Sequence, residues 1–385
     1  MDIDQVTKQM AVESVQQPGR GRLRVWVNRV CIFGLSVVLL LGVACLVVYQ
    51  THGHLIVGIP LEEVPDSSSL SSVFPRIEGW SQKPLEAARV YAEDSKSTAF
   101  IAIQDGQLVV EWGDTARRIS AHSVRKSMVS ALFGVAVHKG LINIEDTLSD
   151  IGFDDEPPLN EVELSARIRD LLTCRSGIYH GSVKSDGSDE PPPRGTHSPG
   201  EVFYYNNWSF NALGAIFEEE TQLSLGQAFK DWIGDPIGMQ DFRVEDVRYF
   251  SSGESRIPAY RFWISARDLA RFGVLFQQKG LWNGVQVIPE EWVDDSVRSH
   301  SMLGPTGYGY MWWIRENGDW MATGTGGQKV IIDPERRLVL VNRVDTGEGF
   351  GRGVWFSFGP RMNNGHMRQL KELILSAAPA SRVGS

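Results

Sequence analysis

The 385-residue chain has little of what common metal and cofactor sites are built from. It holds three cysteines. Cys31 and Cys45 share one apolar run and Cys174 stands alone beyond it, so no disulfide can form in the body of the protein, and a disulfide-stapled scaffold is excluded. No CxxC pair and no Cys/His cluster has metal-ligand spacing. The G-x-S-x-G turn of α/β-hydrolases is missing, as are H-E-x-x-H, G-x-x-x-x-G-K-[ST] and a G-x-G-x-x-G in strand–turn–helix context. Positive charge is also short. The 38 Lys and Arg face 47 Asp and Glu, a net charge of −9, which gives nucleic acid no electrostatic footing. The expectation is a protein without metal or cofactor that does not bind nucleic acid.

What is present begins with one long apolar run, Val30 to Tyr49. It carries no charge, and ~20 residues at ~1.5 Å each suffice to cross a ~30 Å hydrocarbon core. Arg20, Arg22, Arg24 and Arg29 precede it and no Lys or Arg follows closely, so the basic side stays cytoplasmic and the rest of the chain faces outward. The run is too long for an ordinary signal peptide and lacks a small-x-small site just after it. The expected organisation is a cytoplasmic basic arm (1–29), a single membrane anchor (30–49), a linker containing PDSSSLSSVFP (50–83), a folded domain (84–378) and a short tail (379–385). The domain is expected at the periplasmic or extracellular side of a cell membrane.

Within the domain, Thr98 to Ile103 and Gln107 to Trp112 flank Asp105-Gly106, a hairpin signal. A second hairpin is expected from Lys329–Asp333 and Leu338–Val341 around Pro334–Arg337. The chain between them is mostly helical in pattern, which predicts an α/β (α+β) fold whose antiparallel sheet is formed from both chain ends, flanked by helices, with an all-helical subdomain. Gly181 to Gly200 is a long polar loop of the kind that shapes a site.

The chemistry centres on His122-Ser123-Val124-Arg125-Lys126-Ser127. Apolar residues at 128, 129, 132, 133, 136 and 137 have helical spacing, and Gly140 suits the helix end. Ser123 then opens a helix and Lys126 lies one turn on, on the same face. A serine hydroxyl needs a neighbouring base to become a nucleophile, and a lysine serves only when neutral. Bringing it from ~10.4 towards ~7 requires about 4 kcal/mol of differential destabilisation of its charged form. Of ten lysines this is the only one with a serine three residues upstream, and chance alone would supply about one such pair.

The setting of that pair resembles the serine β-lactamase and penicillin-binding-protein-like superfamily, in particular its class C and esterase-like branch with 6-aminohexanoate-dimer hydrolase. The pieces occur in that family's order: S-x-x-K at Ser123 and Lys126, Ile168 to Gly177, Pro199 to Gly214 with Tyr205 and Asn207 as Y-x-N, Ser265 to Gly273, and Tyr308 to Trp313. The resemblance implies a β-lactamase/transpeptidase-like fold and a serine hydrolase. Ser123 would be the nucleophile, Lys126 and Tyr205 would move protons, and Asn207 would hold the lysine and the substrate amide. The substrate would be a small-molecule or short-peptide amide or ester, with a D,D-peptidase, a β-lactamase or a non-catalytic binding module as alternatives. The family's K-T-G or H-x-G element is matched to Thr325, Gly326, Gly327 and Gln328, with Thr325 where a cation is usual and the Gln328 N–H joining that of Ser123 as oxyanion hole. His122, Arg125, His180, His197 and Asp268 are weaker candidates, each more ordinary as surface, loop or helix-end residues.

Overall fold

The computed structural model describes residues 70–182, 191–253, 255–347 and 362–379. The arm, the apolar run Val30–Tyr49 and most of the linker expected above lie outside the described residues, as does the stretch 183–190 of the long loop. Among the described residues no helix is long and apolar enough to cross a membrane.

Nine helices are used here: α1 Gln82–Asp94, α2 Val124–His138, α3 Glu161–Leu164, α4 Ile168–Leu172, α5 Asn207–Thr221, α6 Leu225–Phe229, α7 Ala266–Gln277, α8 Glu290–Ser296 and α9 Asn364–Ser376. The main sheet contains β1 Ala99–Gln104, β2 Gln107–Gly113, β8 Ser301–Leu303, β9 Thr306–Tyr308, β10 Trp313–Ile314, β11 Trp320–Gly324, β12 Gln328–Asp333 and β13 Leu338–Arg343, in the order β2-β1-β13-β12-β11-β10-β9-β8. Every described pairing in it is antiparallel. The two ends of the domain therefore meet at β1 against β13, with Ala99 opposite Arg343. The first hairpin turns at Asp105 (φ 52°) and Gly106 (φ 70°), the left-handed pair that a tight hairpin turn needs. The second turns through 334–337, with Arg337 at φ 48°.

β1, β12 and β13 are buried along their whole length because both faces of the sheet are covered. On one face α1 and α9 pack over Phe100, Ala102, Leu340 and Ile331. On the other, α2, α5 and α7 build the larger core over Ile101, Val330, Val339 and Val341. The approach of α7 is close: a Cβ on Gly273 would sit 2.6 Å from Val339 Cγ1. The helical region between the hairpins also carries strands. β3 Ile119–Ser120, β4 Val247–Ser252 and β5 Ser255–Ile264 form a three-stranded sheet in the order β3-β5-β4, and a small hairpin joins β6 Leu281–Trp282 to β7 Val285–Gln286. The apolar content of β5 marks it only weakly, since Pro258, Arg256 and Arg261 interrupt its pattern. β3 matters most here, because the chain leaves it directly into α2.

Candidate active site

Ser123 sits where β3 turns into α2. Ala121 is held to β5 by its N–H donating to Phe262 O at 2.8 Å. His122 then takes φ 47°, a left-handed conformation uncommon for a residue with a Cβ. That turn makes Ser123 the N-cap of α2 with its hydroxyl not spent on capping the helix. α2 is buried from Val124 to Ala136, its polar Arg125, Lys126, Ser127 and Ser130 included. It carries Lys126 into the core with 1% of its surface exposed.

Three oxygens surround the Lys126 ammonium: Ser123 Oγ at 3.0 Å, Tyr205 OH at 2.5 Å and Asn207 Oδ1 at 3.1 Å. It also lies 4.2 Å from the Tyr205 ring centre and 4.1 Å from that of Phe210. Tyr205 and Asn207 arrive together because Asn206 caps α5, its Oδ1 accepting from Trp208 N at 2.9 Å and its Nδ2 donating to Ile178 O. Asn206 is thus the last extended residue, with Tyr205 just before it and Asn207 the first helical one. Trp313 stacks on Tyr205 at 5.6 Å, and Tyr308 meets it edge-on. Tyr204, the neighbouring phenol, packs instead against Tyr179. Two pairs of residues about 80 positions apart in sequence thus form one hydrogen-bonded cluster. Chemically it can take a proton from the Ser123 hydroxyl and pass it through Lys126 to a phenol.

His122 Nε2 is 3.0 Å from Thr346 Oγ1. Burial, followed by the charges of Arg261, Arg343 and Arg125, pushes the imidazole down to about 3, so it is neutral at ordinary pH. Arg125 donates to His122 O at 3.2 Å and lies over the Tyr260 ring. Both residues therefore shape the turn beside the nucleophile rather than forming part of a solvated surface.

The strand facing Ser123 differs from the expected register. A Cβ on Gly324 would lie 2.6 Å from Ala121 O and 3.0 Å from Ser123 N, so Gly324 is the glycine that lets β11 close onto the Ser123 turn. A Cβ on Gly327 would meet Met362 and Val344 instead, at 2.7 Å from Met362 Cβ. Gly326 and Gly327, at φ 84° and 96°, only turn the chain. Gln328 opens β12 and is completely buried, its side chain bonded to Val344 and Arg343. Gly324 follows Ala322 and Thr323 on β11, and the backbone N–H after this close-packed glycine is that of Thr325, which is exposed at the start of the turn. Counted back from Gly324, the cation position of a K-T-G element would fall on Ala322, whose buried methyl supplies no charge. Sequence spacing alone does not show which of these glycines touches another chain segment.

The remaining candidates are structural. His180 is buried beside Trp208, with Nε2 3.6 Å from Glu163 and Nδ1 3.9 Å from Asp155. His197 packs near Tyr179. Asp268 accepts from the backbone N–H groups of Gln240, Asp241 and Phe242 at 2.9–3.0 Å, tying α7 to that segment. Among the described residues no group of His, Cys, Asp and Glu is arranged to hold a metal.

A family model described as Beta-lactamase matches residues 85–348. A protein of Alkalihalophilus pseudofirmus with no assigned activity is 24% identical over 310 residues, covering 67% of this chain and 87% of that protein. Among solved structures, a Bacillus anthracis protein assigned as a 6-aminohexanoate-dimer hydrolase superposes with a TM-score of 0.59 at 21% identity, covering 84% of this chain and 93% of its own. A Bacteroides dorei protein assigned as a beta-lactamase gives 0.57 at 15% identity, covering 78% and 99%. An octameric penicillin-binding protein homologue from Pyrococcus abyssi gives 0.50 at 18% identity, covering 72% and 78%. At these identities the superpositions establish the fold alone.

Proposed function

This chain belongs to the beta-lactamase family, and on that premise we propose that it is a membrane-anchored serine hydrolase that cleaves an amide or ester through an acyl-enzyme on Ser123. The observation that carries the reading is the contact set of Lys126: one buried amine within hydrogen-bonding distance of a serine hydroxyl, a phenol and an amide oxygen. A structural lysine has no need of an exposed-edge serine and a tyrosine on one ammonium, whereas proton transfer does.

In the reactive form the Lys126–Tyr205 pair has lost one proton. Ser123 Oγ attacks the substrate carbonyl carbon while its proton passes to that pair. The carbonyl oxygen becomes an oxyanion, held by the backbone N–H groups of Ser123 and Thr325. Collapse breaks the bond to the leaving nitrogen or oxygen, which takes the proton from Tyr205. Water then attacks the acyl-enzyme, giving its proton to the pair; collapse breaks the Ser123 Oγ–acyl bond, Oγ takes that proton back from the pair, and the acid is released. Asn207 holds Lys126 in place from the far side.

The missing cation at Ala322 favours a linear amide or ester over a penicillin-type ligand, whose carboxylate would want that charge. The anchor rests on the charge-free run Val30–Tyr49 and the arginines before it. The test is a fluorophosphonate probe on the purified protein, with p-nitrophenyl esters, D-amino-acid amides, linear amide oligomers and nitrocefin as substrates. Labelling in the wild type, lost in Ser123→Ala and Lys126→Met, is expected. No labelling of the wild type would refute the enzyme reading, and fast nitrocefin turnover would replace it with a β-lactamase.

A further inference from the structure

Arg343 ends β13 on the face of the sheet that carries the candidate active site, and none of its surface is exposed. Buried arginines are ordinarily paired with carboxylates, because an uncompensated charge in the core is costly. Among the described residues Arg343 has no carboxylate partner. Its Nε donates to Gln328 Oε1 at 2.8 Å. Its Nη2 donates to Ile119 O at 2.6 Å and to Ser120 O at 3.1 Å. Its Nη1 is buried with no partner among the described residues. Burial alone lowers the group, to about 9, which leaves it charged at neutral pH.

These contacts join two backbones. Ile119 and Ser120 are β3, the strand that runs into Ala121, His122 and Ser123. Gln328 is the residue paired with Gly324, the position that packs on Ser123 N. The Gln328 end is fixed further: its Nε2 donates to Val344 O at 2.6 Å, and Asn342 Nδ2 donates to Gly327 O at 2.8 Å. Asn342, Arg343 and Val344 thus hold the β11–β12 turn on one side, while the Arg343 guanidinium holds the nucleophile strand on the other.

We propose that Gln328 and Arg343 are positioning residues that set the spacing between the Ser123 turn and the Gly324–Thr325 strand, and so the distance between the two N–H groups facing the acyl oxygen. The proposal rests on the serine-hydrolase reading above and deepens it. Oxyanion stabilisation depends on donors fixed in advance, and removing one costs ~10²–10³-fold in rate; a displacement of ~1 Å costs ~10²-fold. A buried cation costs stability wherever it stands, so its placement at the joint between these two segments accords with a role at the site rather than in the core.

The experiment measures fluorophosphonate labelling in the full chain, separating rate constant from final amplitude. Amplitude reports how much protein is folded and competent, and the rate constant reports how well the competent fraction stabilises the phosphonyl oxygen. Gln328→Met keeps the length but gives Arg343 Nε no acceptor. It is expected to lower the rate constant about 10–100-fold. Gln328→Glu keeps the acceptor for Arg343 but loses the donor to Val344 O, and is expected to recover part of that loss. Asn342→Ala, which frees Gly327, is expected to give a smaller fall in the same direction and serves where Gln328→Met does not fold. Wild-type rate constants in the folded variants, or losses confined to amplitude, overturn the proposal and leave the serine-hydrolase reading standing. An unlabelled wild type overturns both, and that outcome is visible before any variant is made.

Discussion

The register in which β11 meets the nucleophile makes Gly324→Ala the sharpest single test of the site. An added Cβ would stand 2.6 Å from Ala121 O, where ordinary van der Waals contact begins at 3.4 Å, and 3.0 Å from both His122 Cβ and Ser123 N. None of these atoms lies on a flexible side-chain end. Ala121 is tied to β5, and His122 already holds a left-handed φ, so neither can move away freely. Relief must come from strand and nucleophile turn separating by several tenths of an ångström. Overpacking of this kind costs about 1–3 kcal/mol of stability, and a separation approaching ~1 Å costs up to ~10²-fold in reactivity. The expected result is a thermal midpoint lowered by several degrees and a fluorophosphonate labelling rate lowered about 10–100-fold, with labelling amplitude largely kept below the new midpoint. A Gly324→Ala protein that labels at the wild-type rate would refute the assignment of Ala322-Thr323-Gly324 to the strand lining the site, and with it Thr325 as the second oxyanion donor.

Three more outcomes follow from the same geometry. His122 is held neutral down to about 3, against 6.5 when unfolded, so the unfolded chain takes up a proton that the folded one refuses; stability is therefore complete above pH 6.5 and lost as the pH falls towards 3. His122→Asn, which tolerates the positive φ, should lose roughly 1–2 kcal/mol less than the wild type in urea melts taken at pH 7.5 and pH 5, and equal losses would exclude His122 as a contributor. Lys329, buried against Thr323 and Asn364, is lowered from 10.5 to about 8 by burial and by Arg315, so the unfolded chain takes up the proton first and stability is lost as the pH falls from 10.5 to about 8. Lys329→Met should gain roughly 1–3 kcal/mol relative to the wild type on going from pH 10 to pH 7, and a pH-independent difference would refute this. The full chain should sediment with membranes and withstand carbonate washing, while a variant lacking residues 1–49 should stay in the supernatant; a soluble full chain would eliminate the anchor.

Much of this molecule was legible in one dimension, because the signals involved are local. Asp105-Gly106 between apolar runs dictates a hairpin whatever surrounds it, since the turn requires left-handed backbone. Apolar spacing after Ser123 dictates α2, and a separation of three residues on a helix places Lys126 beside Ser123. Tyr205 and Asn207 were identifiable because their spacing to Gly214 is kept within one continuous stretch. The strands of β4 and β5 were not legible, since their pattern is broken by arginines and a proline that the tertiary setting accommodates. Nor was the glycine that touches the nucleophile. Gly324, Gly326 and Gly327 lie within four positions of one another, and only the approach of β3 and α2 to β11 tells them apart. Arg343, 220 residues from Ser123 along the chain, could not be linked to it by any spacing rule; the pairing of β1 with β13 brings it there. The sequence by itself determined that Ser123 and Lys126 meet on one helix and the order of the elements around them, because each rests on residues a turn or two apart. Only the tertiary structure decided which backbone faces the serine and what holds it there, because those contacts join strands from opposite ends of the chain.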